Sequence, residues 1–197
     1  MIANTSGAVY AMRTMAALLE RECHLEVVIS EFGRRLLHDE LGDKAAVPRL
    51  REYLVETYGQ SAAKGTFTVL NNKDLGATLA SGSHECEGMV IVPCSMGTLA
   101  AIAAGTSRSL VERAADVALK ERRPLLLVTR ETPLSAIHLE NMLRVTRAGA
   151  IVMPAAPGFY HRPERVDDLV DFIVARALDH LGVEAKVGAR WSGSKSG

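Results

Sequence analysis

Three short runs fix what this chain can fold into: "MVIVPC" at 89–94, "PLLLVTR" at 124–130 and "AIVMPA" at 150–155. Each has strand length and carries apolar residues at consecutive positions, so both of its faces must be buried. Around them the period changes to that of a helix. "SLVERAADVALKERR" (109–123) puts Leu110, Val111, Ala114, Ala115 and Ala118 on one face. "SAIHLENMLRVTRAG" (135–149) runs out at a glycine, and "RVDDLVDFIVARALDHLG" (165–182) keeps its apolar residues in helical register. Upstream, residues 7–22 read as a helix and "HLEVVIS" (24–30) as a buried strand. Residues 31–41 and 47–58 read as helices, and "TFTVL" (66–70) as another strand. Strands buried on both faces and separated by helices predict a doubly wound α/β domain, a parallel sheet with helices on both faces.

Length and charge narrow the class further. A chain of 197 residues suits one domain, expected over 1–185 with a tail at 186–197 that ends in the Gly/Ser-rich "WSGSKSG". Lys plus Arg and Asp plus Glu are 23 each, so no global field favours nucleic acid or an anionic membrane. Cys23, Cys86 and Cys94 show no C-x-x-C spacing, which fits a reducing cytoplasm and no metal. No secretory leader and no run of membrane-spanning length is visible.

In a doubly wound sheet ligands bind past the carboxyl ends of the strands, at helix N-termini. The residues that follow the strands are Ser30, then Ser95, Met96, Gly97 and Thr98, then Arg130 and Glu131, and the stretch 154–160. Ser6 and Gly7 form a similar turn before the first helix. Hydroxyls, exposed N–H groups and helix dipoles suit an anion such as a phosphate. Any one of these Ser or Thr residues is equally an ordinary helix cap; the signal is that four such loops meet at one edge. Neither G-x-x-x-x-G-K-[ST] nor G-x-G-x-x-G occurs, and "HECE" (84–87) lacks metal-ligand spacing. The loop 71–88 is long enough to suggest function. His138 and Glu140 read as surface or cap residues, Cys94 as core, and the basic end Lys120, Arg122 and Arg123 as dipole compensation. "GFYHRPE" (158–164) reads poorly as core and better as a loop covering a ligand.

With "CSMGT", "ERAADVALKERRPL", "HLENML" and "PAAPGFYHRP" in view, the chain resembles the UbiX-type flavin prenyltransferases over residues 2–192. The resemblance implies a flavodoxin-like, Rossmann-like fold that binds FMN, needs no metal and assembles as a homododecamer. The implied reaction joins the dimethylallyl group of dimethylallyl phosphate to reduced FMN at N5 and C6, for use by a UbiD-type decarboxylase. Carried over by position, Asn4, Thr5, Ser6, Ser30, Ser95, Met96, Gly97, Thr98 and Arg130 would contact FMN. Tyr160, Arg176, Lys120 and Arg113, the last from a neighbouring subunit, would hold the substrate phosphate. Ser6, Glu40, Lys120 and Glu131 would carry the catalysis.

The resemblance departs at "ANTSG", where the family shows "TGASG"; Asn4 stands for a glycine and tolerates unusual φ better than most residues. Two other readings compete. A flavin-dependent cysteine decarboxylase of this fold group would carry a His near the first helix and an Asn at a strand end, and "MPAAPGFY" has none. A non-catalytic FMN carrier would explain the altered loop but not the retained Lys120, Glu131, Tyr160 and Arg176. The family also places a short central strand before the Ser-Gly turn, of which residues 1–3 would be the remainder; the natural start is therefore expected upstream.

Overall fold

The alternation of runs is realised element by element in a computed structural model, which describes residues 6–184 together with Val187 and Gly188. Asn4, Thr5, the start at 1–3 and most of the expected tail lie outside the described residues. In chain order the elements are α1 (Ala8–Glu20), β1 (His24–Val28), α2 (Glu31–Leu41), α3 (Leu50–Tyr58), β2 (Thr66–Leu70) and β3 (Met89–Cys94). They continue with α4 (Met96–Ala103), α5 (Leu110–Lys120), β4 (Leu125–Thr129), α6 (Ala136–Arg147), β5 (Ile151–Pro154) and α7 (Val166–His180). The helix expected over 47–58 begins instead as a 3-10 turn at Val47–Arg49, where Pro48 has no N–H to give to a longer ladder.

β4 shows why the apolar runs had to be strands. All five of its residues are buried, and alternate side chains enter opposite cores. Leu126 and Val128 pack with α1 and α7 residues such as Met12 and Ile173, whereas Leu125 and Leu127 pack with Leu99, Leu110 and Val145 of α4, α5 and α6. Two helical layers thus cover the two faces, as expected.

Among the described residues the strands pair in parallel as β1–β2 and β3–β4–β5. α1 spans the divide, touching both β1 and β3. Between those two strands lies a cavity of about 540 Å³, walled by Leu25, Val27, Val90 and Val92.

The β2 side of this frame depends on one glycine. Gly65 donates its N–H to Leu19 O at 2.9 Å, and the next residue donates to Cys23 O at 3.1 Å. A Cβ at Gly65 would lie 2.5 Å from Cys23 O and 2.9 Å from Leu19 Cα, both backbone atoms that cannot swing aside. Gly65→Ala is expected to lower the unfolding free energy by about 1–3 kcal/mol, the usual cost of overpacking. An unchanged urea midpoint would contradict this.

Candidate active site

Three helix N-termini converge at the carboxyl edge of the strands, each capped by a serine. The Ser30 hydroxyl accepts from Gly33 N at 3.0 Å at the start of α2. Ser95 accepts from Thr98 N at 3.1 Å at the start of α4, with Thr98 Oγ1 3.0 Å away. Ser109 accepts from Glu112 N at 3.4 Å at the start of α5. Together with Phe32, Asn72 and Gly97 they line a pocket of about 270 Å³. Three positive dipole ends, exposed first-turn N–H groups and several hydroxyls make a site for a phosphate group. Glu112 does not spoil it, because its carboxylate accepts from Thr106 Oγ1 and Arg108 N at 2.9 Å each.

Ser109 and Asn72 were not singled out from sequence. The Ser-x-x-Glu pattern at 109–112 was the available signal for a capped helix start. Asn72 had none: only the fold shows its carbonyl accepting from Leu110 N at 2.8 Å and its side chain from Val111 N at 3.1 Å. These bonds pin the long loop after β2 to the start of α5.

A second cluster surrounds Ser6. Arg130, just past β4, donates Nε to Ser6 O at 3.2 Å. Glu40, from the last turn of α2, accepts from Gly7 N at 3.0 Å and from Ala8 N at 2.8 Å. Its carboxylate therefore closes the N-terminus of α1, where the helix dipole favours negative charge. Gly7 has φ of 118°, a left-handed conformation in which a side chain would be strained. Glu131 follows Arg130 directly, and its Oε1 accepts from Thr132 N at 3.1 Å. Ser6, Glu40, Arg130 and Glu131 are thus gathered at one end of the molecule.

The loop after β5 carries Phe159 and Tyr160, 68% and 56% exposed. Tyr160 is held nonetheless, with its ring edge-on to Phe172 at 5.8 Å and to His161 at 5.7 Å, while His161 stacks on Phe172 at 5.5 Å. Gly158 makes room for it, since a Cβ there would meet Tyr160 Cε1 at 2.7 Å. Asp168 ties the loop's end to α7 by accepting from Glu164 N at 2.9 Å and Arg165 N at 3.0 Å; these bonds hold its carboxyl below the usual range.

One expected phosphate ligand, Lys120, stands apart from these clusters. Lys120 ends α5 and lies before β4, whereas Arg130 follows it; a five-residue strand separates the two ends by about 16 Å. Lys120 pairs with Glu121, whose carboxyl that contact lowers. Arg113 pairs with Asp116 at 3.1 Å and Arg176 with Asp179 at 3.2 Å, both on helix flanks.

Several other residues that invite a functional reading have structural partners. His138 and Ser135 form a reciprocal capping box at the start of α6. Cys94 is buried in the core, and burial pushes its thiol up to about 12. Arg123 donates to Gly82 O at 2.7 Å. His84 is bonded to Glu26 at 2.6 Å, and among the described residues no group of three potential ligands could hold a metal.

Comparison with known proteins identifies the family. The family described as Flavoprotein matches residues 1–178. A flavin prenyltransferase UbiX from Pseudomonas aeruginosa is 47% identical over 188 residues, covering 94% of this chain and 89% of the relative. The solved structure of AnUbiX in complex with FMN and dimethylallyl pyrophosphate superposes with a TM-score of 0.87 at 38% identity, covering 98% of this chain and 96% of the other. A dodecameric FMN-dependent UbiX-like decarboxylase from Escherichia coli O157:H7 gives a TM-score of 0.85 at 41% identity, covering 98% and 97%.

Proposed function

The chain belongs to the Flavoprotein family, among the UbiX-type flavin prenyltransferases, and we propose that it transfers the dimethylallyl group of dimethylallyl phosphate to reduced FMN. The observation that carries this reading is the pocket where three serine-capped helix N-termini meet, which fits the phosphate end of FMN. Reduced FMN, when bound, supplies the nucleophilic N5 and C6 to which the allyl group becomes joined.

The chain's own residues divide the remaining work. Ser30, Ser95, Met96, Gly97 and Thr98 would hold the flavin phosphate and ribityl chain, with Asn72 and Ser109 completing the pocket. Asn4, Thr5 and Ser6 would border the flavin ring, and Arg130 fixes that loop through Ser6 O. Glu40 keeps the loop in place from the N-terminus of α1. Tyr160, Arg176, Lys120 and Arg113 would bind the departing phosphate, whose charge grows as the C–O bond breaks. Glu131 would move the proton between flavin and phosphate.

Because Lys120 and Arg130 sit at opposite ends of β4, the complete site draws on more than one copy of the chain. The exposed Ile137, Leu139 and Leu143 of α6 offer apolar surface for such contacts. The dodecamer of the Escherichia coli protein supports this assembly. A UbiD-type decarboxylase would use the product. Among the described residues no helix is long and apolar enough to cross a membrane, and the reading places the enzyme in the cytoplasm.

Anaerobic incubation with FMNH₂ and dimethylallyl phosphate, followed by mass spectrometry of the flavin, tests the proposal. A flavin heavier by one prenyl group supports it; bound but unchanged flavin would point to a non-catalytic carrier. Ser95→Ala is expected to weaken FMN binding about tenfold, the loss of roughly one charge-assisted hydrogen bond. Quenching of FMN fluorescence measures this, and an unaltered dissociation constant would remove Ser95 from the site.

A further inference from the structure

Tyr160 and Arg176 come from different elements, a loop and a helix, so a shared phosphate needs one set against the other. The common surface is α7. Phe172 and Arg176 are four residues apart on that helix and share a face, with Cβ atoms roughly 6 Å apart. The Tyr160 ring meets Phe172 edge-on at 5.8 Å, which places it on the face that carries Arg176.

The loop before α7 is built to keep the ring there. Arg162 N donates to Phe159 O at 3.0 Å, closing a turn with Tyr160 and His161 at its two central positions. Arg162 has a left-handed φ of 53°, which a residue with a side chain keeps only where its surroundings impose it. His161 lies flat on Phe172, 2° from parallel at 5.5 Å, and stands at 78° to the Tyr160 ring at 5.7 Å. Its Nδ1 is buried and has no hydrogen-bond partner among the described residues, so at that atom packing alone holds the ring. On another side of Tyr160, a Cβ at Gly158 would lie only 2.7 Å from Cε1. Gly158, His161 and Phe172 together leave the tyrosine ring little freedom to turn.

We propose that His161 is a positioning residue for the substrate phosphate: stacked on Phe172, it holds the Tyr160 ring so that the phenol hydroxyl stands beside Arg176. The inference rests on the proposed function, in which Tyr160 and Arg176 bind that phosphate. A tyrosine turning freely on an exposed loop would lose its freedom when the phosphate arrives, and that loss would weaken binding. The stack removes the freedom beforehand.

The test titrates dimethylallyl phosphate calorimetrically into protein loaded with oxidised FMN, where binding is read without turnover. Tyr160→Phe keeps the ring and removes the hydroxyl; it is expected to weaken binding about tenfold, the loss of one hydrogen bond to a charged group. His161→Ala should weaken binding by up to about the same factor, since it acts only through that hydroxyl. The FMN dissociation constant should not change in either variant, because neither residue lines the 270 Å³ pocket. His161→Phe, which can still stack, should bind as the unaltered protein does. The double variant Tyr160→Phe/His161→Ala should bind no more weakly than Tyr160→Phe alone, whereas a merely structural His161 would multiply the two losses. Multiplied losses, a His161→Phe variant as weak as His161→Ala, or undiminished binding by His161→Ala would each overturn the proposal and leave the proposed function standing. Failure of the unaltered protein to bind dimethylallyl phosphate would overturn both.

Discussion

Lys120→Ala, Arg176→Ala and Glu131→Gln are each expected to retain FMN and to lose prenyl transfer by about 10²–10³-fold, the usual effect of removing one donor from a developing charge. None of the three residues lines the 270 Å³ pocket where the capped helices meet, so flavin affinity should be unchanged. The chemistry explains why the rate suffers. An allylic phosphate leaves with its charge growing on oxygen, and a cation that is stronger in the transition state than in the ground state lowers that barrier directly. In the isolated chain Lys120 is already engaged with Glu121, so it must exchange one carboxylate for the phosphate. Its contribution therefore appears in turnover more than in substrate binding. Single-turnover spectra of the flavin under anaerobic conditions read the effect. Full turnover in all three variants would dismiss this assignment.

How much of this was legible beforehand depends on how local the physics is. β3, β4 and β5 could be placed to within a residue or two because a strand buried on both faces leaves an uninterrupted apolar run, and Leu125–Thr129 shows that pattern at every position. Ser30 and Ser95 could be named because a cap is a local device, written within four residues of the helix it starts. Glu40 was assigned by resemblance, yet its observed bonds reach back 32 and 33 residues to Ala8 and Gly7, a distance that no periodicity encodes. Asn72 escaped notice for the same reason, since its partners at 110 and 111 are brought to it only by the crossover of α5. The run pattern says that strands exist, and only the pairing says which of them touch.

A mixture of two inactive proteins should regain activity. Lys120→Ala and Glu131→Gln, unfolded together and reassembled, are expected to recover prenyl transfer, although each alone is nearly inert. The argument rests on where the two side chains lie. Glu131 follows the carboxyl end of β4 and Lys120 precedes its amino end, and the proposed site brings them to one phosphate from two copies of the chain. A site built from two copies of the chain can. In a closed homo-oligomer with random mixing, about a quarter of such sites would pair an intact Lys120 from one copy with an intact Glu131 from another. Recovery approaching that fraction of wild-type turnover supports a shared site. The same experiment with Arg130→Ala and Glu131→Gln is the control: these residues are neighbours on one chain and act at the same end of β4, so mixing restores an intact pair only on chains that carry neither change. Since none do, that mixture should stay inactive. No recovery in the first mixture would overturn the shared site, and full turnover of Lys120→Ala alone would place Lys120 outside the reaction and leave Arg113, Tyr160 and Arg176 to hold the phosphate.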